Sequence, residues 1–178
     1  VHREMRIVRL GQGVDATGQP SRLTALPRPA LALANAATAL QAFMLLPVAV
    51  DPACIAEALR GVRLAGRNQR LQRQGRAVVL DVGHNAHALA FLRGELARHG
   101  LCERFHIVLG MLGDKDVEAA VRVLEPLGQS WHIAPLPSPR TATTARLSAA
   151  LAAAGATDVV VHDDVAAAMA GALARADG

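Results

Sequence analysis

Residues 105–127 read FHIVLGMLGDKDVEAAVRVLEPL. An apolar run, Phe105 to Leu109, passes through Gly110 into a polar segment, Gly113-Asp114-Lys115-Asp116, and then into a stretch where Val117, Val121 and Leu124 recur at helical spacing. A short continuous apolar run suits a strand covered on both faces, as in parallel sheets. The recurring triple suits a helix with one apolar stripe. The pattern predicts a strand over 105–110 and a helix over 114–127. The same unit recurs on both sides: strand 77–82 into helix 86–99, strand 131–134 into helix 143–154, strand 158–161 into helix 164–176. Such alternation predicts an α/β domain, a mostly parallel sheet flanked by helices on both faces in the Rossmann-like manner. Ligands of such sheets sit where the strands end, so the loops after the strands are the functional ones.

Towards the N-terminus, a strand over 68–72 and a turn over 73–76 make a hairpin with strand 77–82. Asp51-Pro52 reads as an N-cap followed by proline at the first helical position, opening a short helix to about residue 59. A longer helix is expected over 31–46, ended by Pro47 and preceded by the stiff lead-in Leu26-Pro27-Arg28-Pro29. Residues 11–21, rich in Gly, Asp and Gln, read as a loop, and 3–10 as a strand entered from something upstream. The boundary is expected at 47–52, with 1–50 the tail of another domain and 51–178 the α/β domain.

Composition supports a packed aliphatic core. Hydrophobic residues make up 52% of the 178 and aromatic residues only 2%. Lys115 is the sole lysine among the 19 basic residues. A net charge of +4 permits phosphate or carboxylate ligands but is too small to argue for nucleic acid. Cys54 and Cys102 are expected as two reduced, apolar side chains rather than a disulfide framework. No signal pattern or membrane-length apolar run is visible, which predicts a cytoplasmic protein without membrane contact.

Three strand-end loops carry unusual polar residues. Asp81 closes an apolar strand, where a carboxylate can accept from a ribose diol; capping of the next helix by Asp81 or Asn85 explains it equally well. His84 could act as acid or base or orient a phosphate. With His87 it resembles a metal pair, but no third ligand is near in sequence. Asp114 and Asp116 complement a helix dipole, and Lys115 between them is the less ordinary feature. Arg140 follows two prolines and could bind a carboxylate, although exposure is its default. Arg60, Arg63, Arg67, Arg70, Arg73 and Arg76 have near-helical spacing, but Gly61, Gly66 and Gly75 interrupt any continuous helix. Several solvated arginines are expected, with Arg67 turned inward to grip phosphate oxygens. No phosphate-binding G-x-x-x-x-G-K-[ST] loop, nucleophile elbow or zinc motif occurs in the chain.

The order of these motifs is more specific than any of them alone. Leu-Pro-x-Pro with Asn35-Ala36-Ala37, then Gly66-Arg67, Leu80-Asp81-Val82-Gly83-His84-Asn85, Gly110-Met111-Leu112-Gly113-Asp114-Lys115-Asp116 and Pro139-Arg140 resembles the C-terminal half of the bacterial folylpolyglutamate synthase/dihydrofolate synthase family, within the Mur ligase group. The resemblance runs from about Leu26 to the end. It implies an ATPase domain with the phosphate-binding loop and magnesium ligands, followed by a smaller C-terminal α/β domain, with ATP between them. It places Asn35 near the adenine, Arg67 at the phosphates and Asp81 at the ribose, with His84 facing the reaction centre and Lys115 neutralising phosphate charge. The implied reaction joins L-glutamate to dihydropteroate or folates through an acyl phosphate, in a monomer, without nucleic acid. Ala86 stands where the family often has proline. A family strand bearing Gly-Ser is not visible after Ala176, so the chain reads as part of a longer enzyme, inactive by itself. Two other readings stay open: a non-catalytic α/β module binding anions or RNA through Arg60–Arg76, and a cell-wall precursor ligase of the same group.

Overall fold

The computed structural model describes residues 5–8, 22–46, 51–101 and 104–176. The loop expected over 11–21, the stop at Pro47 and Cys102 lie outside the described residues. By its contacts the chain divides into two compact units, Val1–Gln69 and Arg70–Gly178.

In the first unit, β1 (Met5–Val8) pairs antiparallel with β2 (Arg22–Leu26). Helices α1 (Leu33–Met44) and α2 (Pro52–Gly61) follow. Asp51 caps α2 as expected, its Oδ1 accepting from the Ala53 amide at 2.8 Å. Leu23, Leu26, Ala36 and Met44 form one small core with Ile55 and Leu59 of α2. Thus α2 packs with the residues before it, although the sequence grouped it with those after. Strand β2 was not anticipated, because the partner that defines it lies far away in the chain. Cys54 is exposed rather than apolar in setting. Its thiol donates to the Asp51 carboxylate at 3.2 Å, and that bond pushes its pKa up.

The second unit opens with β3 (Gln69–Arg73) and β4 (Arg76–Leu80), a two-stranded hairpin. Its turn residues Gln74 and Gly75 both have positive φ, +50° and +77°, as in the tight turns that match strand twist. The chain then alternates: α3 (Ala86–Arg98), β5 (Phe105–Leu109), α4 (Val117–Leu124), β6 (Gly128–Ile133), α5 (Thr144–Ala153), β7 (Val159–Val161) and α6 (Val165–Arg175). Strands β5, β6 and β7 form a parallel sheet in that order. Among the described residues the parallel sheet that strand β4 was also expected to head holds β5, β6 and β7, and β4 pairs with β3 in the expected hairpin. The tight turn commits one of its edges to the hairpin. Residues of β4 and β5 face one cavity of about 550 Å³.

Helices cover both faces of the parallel sheet. On one, Trp131 and Ile133 pack with Val117 and Val121 of α4 and with Leu147 and Leu151 of α5, all buried. On the other, His132 lies under α6, where Gly171 makes room for it. A Cβ at Gly171 would stand 2.8 Å from the His162 ring and 3.0 Å from His132 Nδ1. Four side chains form a hydrogen-bonded row across this face. His106 Nδ1 is 2.7 Å from Ser130 Oγ, Ser130 Oγ is 3.2 Å from His132 Nε2, and His132 Nδ1 is 3.0 Å from His162 Nε2. Every bond in the row can be made when each group donates in the same direction along it. Burial, reinforced by the charges of His162 and Arg175, pushes the His132 pKa down.

Candidate active site

Each helix of the α/β unit starts with a side-chain cap. Asn85, Asp116, Thr143 and Asp164 accept from the amides of Ala88, Ala119, Arg146 and Ala167. The caps fix where each strand-end loop stops. Helix α4 begins later than the expected residue 114 because Asp116 is its cap, which leaves Asp114 and Lys115 in the loop.

In the loop after β4, Asn85 takes the capping role, and the half-buried Asp81 turns into its own loop. Asp81 Oδ1 accepts from the Gly83 amide at 2.6 Å. A Cβ at Gly83 would stand 2.9 Å from that oxygen, so the turn is tight. His84 is exposed, with Nδ1 3.1 Å from the Val82 carbonyl. A carbonyl can only accept, so Nδ1 carries the proton and Nε2 is the basic nitrogen. That state suits a general base or a phosphate-orienting group. Asp81 and Gly83 line the same cavity as Leu109 and Gly110, so the ends of β4 and β5 border one space.

The loop after β5 is laced to the loop after β6. The Gly113 amide donates to the Arg140 carbonyl at 2.7 Å, the Ala142 amide to Met111 at 2.8 Å, and Leu112 bridges Thr141 in antiparallel fashion. Lys115 Nζ lies 3.3 Å from Asp114 Oδ2, and Arg140 Nη1 is 4.0 Å from the same oxygen. Partial desolvation raises the Asp114 pKa, but the bond and charge of Lys115, with the charge of Arg140, outweigh it and hold it low. Two cations thus share one carboxylate at the strand ends, a grouping able to take a ligand phosphate or carboxylate in its place.

Arg146 of α5 is a residue that the sequence did not single out. It donates to the Gly113 carbonyl at 2.7 Å and the Lys115 carbonyl at 3.2 Å, and grips Glu118 at 3.2 and 3.0 Å. Arg146 and Glu118 lie on different helices, so no local spacing marks them as a pair.

Asn35 and Arg67 lie in the first unit. Asn35 is exposed on the first turn of α1. Arg67 is exposed, not turned inward. It sits in a turn where Gly66 and Asn68 have positive φ, +67° and +43°. Arg60, Arg63, Arg70 and Arg73 are also exposed, and Arg76 is half-buried. Gly61 ends α2, so the arginine row is distributed over helix, turn and hairpin. Among the described residues no group of three or more His, Cys, Asp or Glu could hold a metal ion. No described helix is long and apolar enough to cross a membrane.

A parallel sheet β5–β6–β7 covered by helices on both faces, with Lys115 and Arg140 beside Asp114 beyond the strand ends, places the chain among α/β domains. The chain belongs to the Mur ligase family, matching its glutamate ligase domain over residues 66–178. Relatives that it resembles are named dihydrofolate synthase/folylpolyglutamate synthase. The chain is 36% identical to the dihydrofolate synthase/folylpolyglutamate synthase of Escherichia coli over 122 residues, 68% of this chain and 29% of that protein. A bifunctional folylpolyglutamate synthase/dihydrofolate synthase with Mn, AMPPNP and L-glutamate bound superposes with a TM-score of 0.73 at 33% identity, over 86% of this chain and 36% of that one. E. coli FolC in complex with DHPP and ADP gives 0.71 at 32% identity, over 90% and 37%. The chain thus spans about a third of the length of these relatives.

Proposed function

We propose that this chain is the C-terminal part of an ATP-dependent, ADP-forming ligase that adds L-glutamate to dihydropteroate, to folates, or to both. Residues 1–50 are the tail of its central ATPase domain and 51–178 its C-terminal domain. The observation that carries this reading is the glutamate ligase domain match over residues 66–178, which contains Arg67, Asp81, His84 and Lys115. Solved relatives described with ADP, AMPPNP and L-glutamate support the nucleotide and the amino acid.

In this reading Asn35 meets the adenine, Arg67 the phosphates and Asp81 the ribose. ATP phosphorylates the acceptor carboxylate, and the glutamate amine displaces phosphate from the acyl phosphate. Lys115 neutralises phosphate charge, and His84, basic at Nε2, faces the reacting groups. Catalysis is then chiefly positioning and charge neutralisation. The magnesium ligands are assigned to the ATPase domain of the whole ligase. The protein works as a cytoplasmic monomer on small molecules, and the separated 178-residue chain is inactive.

The test is ADP release by the whole ligase that carries this chain. Release should require both L-glutamate and a pterin or folate acceptor. Release that ignores both, or that needs a cell-wall precursor instead, would refute the assignment. Glutamate-dependent release by the isolated chain would refute its role as a part.

A further inference from the structure

We infer that Arg146 is the positioning residue for Lys115, acting from the neighbouring helix to hold the lysine's loop in its working shape. The inference rests on the ligase reading above, because it gives Lys115 a task. It concerns a different residue, 31 positions further along the chain.

The loop between β5 and α4 has few resources of its own. It contains Gly110 and Gly113, and the sole lysine of the chain sits between two aspartates. Internally it is held by the Lys115 amide on the Leu112 carbonyl, at 3.2 Å, and the Val117 amide on the Lys115 carbonyl, at 3.0 Å. The loop after β6 laces it through Gly113, Met111 and Leu112, and the guanidinium of Arg146 adds the side-chain hold. Nη1 takes the Gly113 carbonyl and Nη2 the Lys115 carbonyl, so it fastens the backbone on both sides of Asp114. The Lys115 carbonyl therefore accepts twice, from its own helix and from α5. Nε and Nη2 meet the two Glu118 oxygens in a fork, which fixes the plane of the guanidinium. The fork also holds the Glu118 carboxyl below its usual pKa range, chiefly through the Arg146 hydrogen bond, so the pair stays charged at neutral pH.

Stability alone does not account for this arrangement. Both partners are well exposed, with 38% and 47% of their side chains open to solvent. Exposed ion pairs contribute little, about 0–1 kcal/mol. The fork instead aims two further N–H groups at the backbone that carries the lysine. Lysine at this position could make one such contact but not the planar set.

The experiment is a double-mutant cycle in the whole ligase, with Arg146→Ala and Lys115→Ala separately and together. ADP release gives kcat and KM for each variant, thermal denaturation gives their folding, and Arg146→Lys is a fourth variant. Arg146→Ala should lower kcat by about 10-fold or more, with KM for ATP little changed. Arg146→Lys should restore folding but not kcat. In the Lys115→Ala background, Arg146→Ala should cost little more, because it acts through a group already removed. Independent, multiplying losses would overturn the inference and leave Arg146 as a structural residue. An unaffected kcat in Arg146→Ala would overturn it too, as would an unaffected kcat in Lys115→Ala. Failure of the ligase reading shows separately, as absence of glutamate-dependent ADP release in the unsubstituted enzyme.

Discussion

The loops after β4 and β5 both border the strand-end cavity, yet the bonds seen in them differ in reach along the chain. In residues 81–85 these bonds are short-range, the Gly83 amide donating to Asp81, His84 Nδ1 to the Val82 carbonyl and the Ala88 amide to Asn85. Residues 111–116 are held by others, through the Arg140 carbonyl, the Ala142 amide and the Arg146 guanidinium. The first kind of loop follows its own short-range turn bonds. The second is preorganised by the packed sheet and helices beneath it. Charged groups meant to meet developing charge are best placed on the second kind, since their geometry costs nothing at the moment of reaction. Lys115 is there, while Asp81, proposed to bind a ribose, is on the first.

The largest test of this contrast removes the support of the laced loop. Leu147 is fully buried beneath it on α5, and Leu147→Ala should cost about 2–5 kcal/mol in chemical denaturation. Amide hydrogen exchange should quicken at Gly113 and Ala142 more than at Gly83. Equal quickening in both loops would erase the distinction.

A smaller effect compares glycines. A Cβ at Gly110 would stand 2.7 Å from Leu136 Cδ2 and 3.0 Å from the Ala134 carbonyl oxygen, which is backbone and cannot swing aside. At Gly83 the obstacles are side chains, Asp81 Oδ1 and Leu89 Cδ2. Gly110→Ala should therefore destabilise by about 1–3 kcal/mol, and Gly83→Ala by less, as read from denaturation midpoints. The reverse order would mean that the β4 loop is the stiffer one.

Smaller again are the caps. Asn85→Ala and Asp116→Ala should each cost about 1 kcal/mol in thermal denaturation, with Asp116→Ala the milder because Arg146 still holds the start of α4.

The smallest effect depends on pH and lies outside both loops. His132 has its pKa lowered in the fold, whereas the unfolded chain takes up a proton near the ordinary value of about 6.5. Stability should be level above that value and decline as pH falls below it, until the folded value is passed. His106, His162, Arg175 and Asp158 all influence this group, the first three disfavouring its charge and Asp158 favouring it. Melting temperature measured from pH 7.5 to 5 should fall, and His132→Gln should flatten the decline.

Much of the α/β unit was legible in the sequence because each strand and helix there is a local pattern with its own cap. What was not legible depends on partners distant in the chain. Strand β2 exists through β1; the β3–β4 hairpin was legible from its turn, whereas which strands join the parallel sheet is not written in any one of them. The start of α4 was ambiguous because Asp114 and Asp116 flank Lys115, and only the bond to the Ala119 amide distinguishes the cap. Asp81 and Asn85 posed the same ambiguity after β4, and Asn85 took the cap. Arg67 looked inward-facing as a phosphate residue should, but the turn around Gly66 leaves it exposed. Arg146 and Glu118 carry no sequence signal, since their relation is made by the packing of α4 against α5.

The most direct measurement of the central claim is the rate of ADP release, as a function of ATP concentration, in the whole ligase with Asp81→Ala and with Arg67→Ala. A charged hydrogen bond to the nucleotide is worth about 1.5–3 kcal/mol. Each variant should therefore lose about 10–100-fold in kcat/KM for ATP while remaining folded. Unchanged ATP kinetics in both would contradict the account and leave these residues to loop structure alone.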